Sequence, residues 1–178
     1  MAKKNDKNND ILISIIVPVY NTSKYLVNCL DSIYAAIDND CEVIIVNDGS
    51  TDDSEKIIKD YISNLKNETY KNNTVYIYKE NKGLADTKNV GIKRSRGKFI
   101  SVVDSDDRIN KNFYRDAREY LDKNDMVIYD LYTDYEDDPK YNHIIRAARE
   151  DCLDSKVSKF VHGAMQGSSC NKIIKKDL

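Results

Sequence analysis

The chain has 178 residues, a length suited to one domain around a single core, and its 33% charged residues sum to a net charge of only -2. So balanced a composition supplies no basic field to hold a nucleic acid, and no nucleic-acid partner is expected. The longest apolar run, Ile11 to Val19, is broken by Ser14 and Pro18 and falls short of the about 20 residues that cross a bilayer, so no transmembrane segment is expected.

The first ten residues, Met1 to Asp10, are rich in Lys, Asn and Asp, without an apolar stretch or a small-residue cleavage site. They read as a disordered polar tail, not a signal peptide, which points to a cytoplasmic protein whose domain runs over 11–178. Ile11 to Val17 is almost continuously apolar and β-branched, the pattern of a strand buried on both faces, and Pro18 is expected to end it. After Asn21-Thr22-Ser23, apolar residues recur at Tyr25, Leu26, Cys29, Leu30, Ile33, Tyr34 and Ile37, which is one face of a helix. Glu42 to Val46 is a second buried strand. Ser50, Thr51, Asp52 and Asp53 then offer caps to a helix with Ile57, Ile58, Tyr61, Ile62 and Leu65 on one side.

The unit repeats. Thr74 to Tyr78 is a third strand, Leu84 to Arg94 a helix containing Gly91, Lys98 to Val103 a fourth strand, and Asn110 to Asp122 a helix with Phe113, Tyr114, Ala117, Tyr120 and Leu121 along one side. Met126 to Tyr132 reads as a strand, Tyr135 to Tyr141 as a polar loop around Pro139, and Ser155 to Met165 as a short helix. Strands alternating with helices at this spacing define an α/β fold with a mainly parallel central sheet flanked by helices on both faces. Cys29, Cys41, Cys152 and Cys170 lack CxxC spacing and His143 and His162 stand alone, so neither a zinc knuckle nor a disulfide framework is indicated.

Ligands of open parallel sheets bind beyond the carboxyl ends of the strands, and the residues there are polar throughout: Pro18 to Asn21, Asn47 to Ser50, Glu80 to Gly83 and Asp104 to Asp107. Asp104, Asp106 and Asp107 are three carboxylates within four residues, which repel one another at a low-dielectric rim unless a cation or hydrogen-bond donors compensate. Were the chain extended there, Asp104 and Asp106 would point the same way. Carboxylate ligation suits a hard divalent ion, Mg²⁺ or Mn²⁺. The alternative is that one acid caps the helix near Asn110 and the others are solvated. Asp48 and Gly49 could simply make a turn with Ser50 capping the next helix, or Asp48 could accept the imide N–H of a base while Tyr20 offers a flat face for stacking. Lys82, Gly83 and Lys88 could place donors near a diphosphate, or the lysines could line a solvated face.

In their order and spacing these clusters resemble the family 2 glycosyltransferases, whose catalytic domain has the Rossmann-like glycosyltransferase A-type fold. The pieces that carry the resemblance are Ser14-Ile-Ile-Val-Pro-Val-Tyr-Asn21, Val43-Ile-Ile-Val-Asn-Asp-Gly-Ser-Thr-Asp52, Asn81-Lys-Gly-Leu-Ala-Asp-Thr-Lys-Asn-Val-Gly91, Gly97-Lys-Phe-Ile-Ser-Val-Val-Asp-Ser-Asp-Asp107 and, more weakly, Asn171-Lys-Ile-Ile-Lys-Lys176. The resemblance implies that Pro18, Tyr20 and Asn21 form the floor for base and ribose, with Ser50, Lys82, Gly83, Lys88 and Ser105 lining the nucleotide site. It also implies that Asp48 contacts the base and that Asp104 and Asp106 are the acids of a DxD pattern. Asp106, followed by Asp107, is the implied metal ligand. Two positions depart from the family pattern: Asn47 stands where an acid is usual and Lys88 where Arg is usual, which loses a bidentate fork for phosphate.

The implied reaction is inverting transfer of a sugar from a nucleotide-diphosphate sugar, a UDP-sugar being favoured, to a hydroxyl of a polysaccharide or glycolipid. Peripheral membrane association of a longer enzyme is compatible with such acceptors. A general base is required near the acceptor hydroxyl, and in the family it lies downstream of the Asn-Lys segment. The chain ends at Leu178, so the expectation is a truncated domain that binds donor and metal with little transfer. The alternative is a non-catalytic nucleotide-sugar-binding or regulatory domain. A dinucleotide-binding oxidoreductase is disfavoured because no GxGxxG follows the first strand, and a sugar nucleotidyltransferase because no Gly- and Arg-rich loop lies near the N-terminus.

Overall fold

The computed structural model describes residues 10–133, 140, 143–145 and 170–178. The expected tail apart from Asp10, most of the loop around Pro139 and the helix expected over Ser155 to Met165 lie outside these residues. The elements run β1 (Ile13–Val19), α1 (Ser23–Ala36), β2 (Cys41–Asn47), α2 (Ser54–Ser63), α3 (Glu68–Asn72), β3 (Thr74–Tyr78), α4 (Leu84–Arg94), β4 (Phe99–Val102), α5 (Phe113–Leu121), β5 (Met126–Ile128), β6 (Leu131–Thr133), β7 (His143–Ile145) and β8 (Lys172–Lys175). Six strands form one sheet in the order β3-β2-β1-β4-β8-β5, and β6 and β7 pair separately. The strands β1 to β4 are mutually parallel, and β8 runs antiparallel to both β4 and β5.

Every residue of β1 and β2 is buried, as their unbroken apolar runs require of strands covered on both faces. Ile13, Ile15, Val17 and Val19 share a core with Leu26, Leu30 and Ile33 of α1, Ile58 of α2 and Tyr114, Ala117 and Leu121 of α5. On the other face α4 lies so close that a Cβ at Gly91 would stand 2.4 Å from Ile16 Cγ2, which is why only glycine fits that turn of the helix. Glu42 is fully buried on this side and is compensated by three donors: Ser14 Oγ at 2.6 Å, the Arg96 amide at 2.6 Å and Arg96 Nε at 2.8 Å. Burial pushes the Glu42 carboxyl up, but these donors hold it below the usual carboxylate range.

Three expectations shift. Pro18 does not end β1, which continues to Val19. The ladder to β4 closes at Ile16↔Val102, and Ile16 O already accepts the Val103 N–H at 3.0 Å, so the Pro18 nitrogen points where no acceptor waits. The strand expected over Met126 to Tyr132 breaks at Tyr129, whose N–H bonds Asn171 O at 2.9 Å while its ring packs 4.2 Å from that of Phe113; β6 then pairs with β7. The short helix α3 has no counterpart among the expected elements. Asn67 Oδ1 caps it by accepting the Thr69 and Tyr70 amides at 2.9 and 3.2 Å. Among the described residues, no helix is long and apolar enough to cross a membrane.

Candidate functional site

The strand order reverses at β1: the chain steps outward through β2 and β3, then returns to place β4 on the other side. That reversal opens a crevice between the carboxyl ends of β1 and β4, the place where parallel α/β sheets take their ligands. The loops beyond the strands are knitted together around it. Thr22 and Ser105 hydroxyls meet at 2.9 Å across the crevice. Asn21 stands at φ 52, a left-handed conformation Asn tolerates, and its amide donates to Ser50 Oγ at 3.1 Å while its Oδ1 accepts the Thr51 N–H at 2.8 Å.

Asp52 is the hinge of this corner. Its Oδ2 accepts the Ser23 amide at 2.9 Å and its Oδ1 the Ser54 amide at 3.0 Å, so one carboxylate serves the first residues of both α1 and α2. Burial works against its charge, but the donors from Ser54 and Ser23 prevail and lower its pKa to about 2. Ser50, expected as a cap, instead receives Asn21. The Asp-x-Ser spacing of Asp52 and Ser54 was the signal that would have found this.

Asn47, the departure from the usual acid, is fully buried: its Oδ1 accepts the Ser50 amide at 2.9 Å and its Nδ2 donates to Tyr76 Oη at 3.3 Å. A carboxylate there could not donate to the tyrosine. Asp48 faces the loop after β3. Its Oδ1 accepts Lys79 Nζ and the Lys82 amide (2.9 Å), and its Oδ2 accepts the Gly83 amide at 2.9 Å. Desolvation raises its pKa and the Lys79, Lys82 and Gly83 donors more than offset this, so the carboxyl titrates below its ordinary range. Lys79, which no sequence pattern singles out, also reaches Asp86 Oδ2 at 2.9 Å. Gly83, at φ 89, turns the loop so that its own N–H and that of Lys82 both meet Asp48. Lys82 thus contributes its backbone amide here, and its residue is exposed.

The acidic segment does not continue as a strand. Asp107 N–H bonds Asp104 O at 3.0 Å, closing a turn that replaces the extended geometry under which Asp104 and Asp106 would converge. Asp104 and Asp107 come together instead, and their carboxylate oxygens and Cys170 Sγ all lie within 4.8 Å of one another. Asp106 and Asp107 are exposed, whereas Asp104 keeps only 30% of its side chain accessible. Asp104 Oδ1 is buried and accepts no hydrogen bond among the described residues; the Lys88 ammonium lies 3.3 Å from it. Partial desolvation of its carboxyl, then the charges of Asp106 and Asp104, raise the pKa of Asp107 although the residue is exposed, and burial together with the same three acids pushes the Cys29 thiol up to about 12. A set of neighbouring carboxylates whose mutual repulsion the Lys88 ammonium at 3.3 Å only partly offsets fits a divalent cation. Tyr20, 49% exposed, directly follows β1, where Val19 O accepts the Asp48 N–H at 2.8 Å. A recess lined by Asp38, Asn39, Asp40, Tyr70 and Arg118 lies at the opposite end of the strands, where Asp40 takes up the Arg118 guanidinium at 2.6 and 2.7 Å, and it is no part of this rim.

A mixed α/β sheet with a polar, acid-rich crevice at its switch point is the class of domain these elements define. The chain belongs to glycosyl transferase family 2, whose model matches residues 14–174. It is 32% identical over 169 residues to EpsH of Bacillus subtilis (strain 168), covering 93% of this chain and 47% of that one. It is 36% identical over 128 residues to the glycosyltransferase GlyG of Streptococcus pneumoniae serotype 4, covering 71% of this chain and 40% of GlyG. Its structure is similar to that of S. aureus TarS 1-349 in complex with UDP-GlcNAc, with a TM-score of 0.72 and 25% identity over 93% of this chain and 45% of that one. The chain thus spans about half the length, or less, of these relatives.

Proposed function

We propose that this chain is the donor-binding portion of an inverting, metal-dependent glycosyltransferase that moves a sugar from a nucleotide-diphosphate sugar, a UDP-sugar by preference, to a hydroxyl of a polysaccharide or glycolipid. The observation that carries the reading is the convergence of all four post-strand segments on one crevice: Tyr20 to Thr22, Asp48 to Asp52, Lys79 to Gly83 and Asp104 to Asp107 are joined by hydrogen bonds or ion pairs across it. The likeness to a protein solved with UDP-GlcNAc supports uracil as the base.

In this reading Pro18, Tyr20 and Asn21 floor the nucleoside pocket, with the exposed Tyr20 ring available to stack on the base. Asp48 fixes the 79–83 loop and so sets where the Lys82 and Gly83 backbone and the Lys82 side chain stand against the ribose and diphosphate. Lys88, poised 3.3 Å from Asp104, balances the acid cluster and adds positive charge beside the diphosphate. Asp107, with Asp104, would hold the Mn²⁺ or Mg²⁺, and Asp106, whose charge raises the pKa of Asp107, would add to the negative field that holds it. Bound there, the cation supplies charge neutralisation of the departing nucleoside diphosphate. Ser105, tied to Thr22, keeps the two sides of the crevice in register.

Calorimetric titration of UDP, GDP and CDP, with and without Mn²⁺, tests this on the wild type and on Asp106→Ala and Asp107→Ala. UDP is expected to bind best and to gain about tenfold or more from Mn²⁺, a gain that Asp107→Ala removes more completely than Asp106→Ala. Equal UDP affinity with and without the metal would overturn the metal assignment, and no UDP binding at all would overturn the donor assignment.

A further inference from the structure

The lysine that follows β3 holds a place that a donor's base would need. Its backbone is anchored: the Lys79 N–H extends the β2–β3 ladder by donating to Asn47 O at 3.0 Å, and the loop passes so close to Gly49 that a Cβ there would stand 3.3 Å from Lys79 O and 3.0 Å from Asn81 N. The side chain is left to move, and it lies between two carboxylates, in contact with Asp48 Oδ1 and 2.9 Å from Oδ2 of Asp86 in the first turn of α4. The Asp48 end of this bridge is closed. Oδ1 accepts both Lys79 Nζ and the Lys82 amide, Oδ2 accepts the Gly83 amide, and the side chain is 5% accessible. An oxygen with both lone pairs engaged has no place for a further N–H. The Asp86 end is open, with 44% of its side chain accessible.

We propose that the Lys79 ammonium is a specificity-determining latch on Asp48: it occupies Oδ1 while the site is empty and shifts wholly onto Asp86 when a base with an imide N–H, such as uracil, takes its place. The proposal rests on the donor-binding reading above and goes beyond it in naming the group that competes with the base. Of the donors on Asp48, the Lys82 and Gly83 amides are fixed in the loop that Gly83 turns, whereas the ammonium rides on a flexible four-carbon stem. Asp86 keeps that ammonium paired once it leaves, so the exchange strands no charge. A base whose corresponding ring nitrogen is an acceptor, as in cytosine, gains nothing from the freed oxygen. Binding of a uracil nucleotide then draws on the fraction of molecules in which Asp48 is free, and the latch weakens its apparent affinity by that fraction.

Calorimetric titration of UDP and of CDP into the 178-residue chain and its variants is the test, with thermal melts establishing that each form is folded at the titration temperature. Lys79→Met, close to lysine in length and uncharged, is expected to bind UDP about tenfold more tightly than the wild type and CDP no more tightly, although it is the less stable protein. Asp86→Asn leaves the Asp48 pair in place and removes the ammonium's second position. It should bind UDP about tenfold more weakly with CDP unchanged, and the same substitution on top of Lys79→Met should have no effect. A bridge with a purely structural role weakens UDP in both single variants. UDP bound no more tightly by Lys79→Met, UDP and CDP tightened alike, or Asp86→Asn without effect in the presence of Lys79 would overturn the latch and leave the donor assignment standing. Should Lys79→Met not fold, Asp86→Asn decides alone, by the same two outcomes. UDP bound by no form would overturn the donor assignment and the latch with it.

Discussion

Replacing Asp48 by Asn changes one atom and removes the charge on which the loop after β3 is hung. In the native protein the Asp48 side chain is 5% accessible and that of its partner Lys79 13%, so the pair is screened far less than a surface ion pair. The substituted carboxamide can offer one oxygen to the Lys82 or the Gly83 amide, but its NH₂ must face the other donor. A charge-assisted hydrogen bond contributes about 1.5–3 kcal/mol, and an ammonium left without its buried counter-charge raises the loss toward about 3–5 kcal/mol; Asp86, 2.9 Å from Lys79 and half-buried, recovers part of it. A net destabilisation of about 2–4 kcal/mol follows, and for a chain of this size that lowers the melting temperature by roughly 5–15 °C. Lys79→Met removes the ammonium from the other side, and the double variant should lose less than the two single variants together, with a coupling of about 1–3 kcal/mol. The pH dependence has a definite sign. The folded pKa of Asp48 is lowered from 3.8, so its contribution is complete above that value and disappears as pH falls through the folded pKa; that of Lys79 is raised from 10.5, so its contribution is complete below that value and is lost as pH rises through the folded pKa. Urea unfolding of the four forms measures the cycle. Additive losses, or a cost below about 1 kcal/mol for Asp48→Asn, would refute the role given to the pair.

Asp52→Ala should release the Ser23 and Ser54 amides together and cost about 2 kcal/mol, the upper end for a lost cap, as measured by chemical denaturation. Because the folded pKa is about 2 against an ordinary 3.8, the gap between variant and wild type should be full above 3.8 and vanish as pH falls toward 2; a gap that widens in acid would contradict the assignment. Gly97→Ala places a Cβ 2.7 Å from Ser14 N and 2.9 Å from Ile13 C, backbone atoms that cannot step aside, and should cost about 1–3 kcal/mol by thermal unfolding; an unchanged melting temperature would refute the close approach.

Much of this architecture is legible in the sequence, for reasons that are local. Thr74 to Tyr78 and Leu84 to Arg94 read from periodicity with the same bounds the structure gives β3 and α4. Unbroken β-branched runs at Ile13 and Val43 announce strands buried on both faces, and a polar cluster after every strand announces a ligand-binding rim, because burial and polarity are properties each segment carries by itself. Direction and partnership are not. Lys172 to Lys175 holds two isoleucines between lysines, a pattern that says nothing of whether the strand runs with or against β4, so the arrival of Cys170 beside Asp104 was invisible. The turn closed by Asp107 N–H and Asp104 O decided which acids converge, and Lys79 became a site residue only because the β3 loop folds over Asp48. Residue types determined which segments would be strand, helix or rim through short-range sterics and hydrophobic periodicity; the choice of which side chains meet across the crevice belonged to long-range register, which exists only once the sheet has closed.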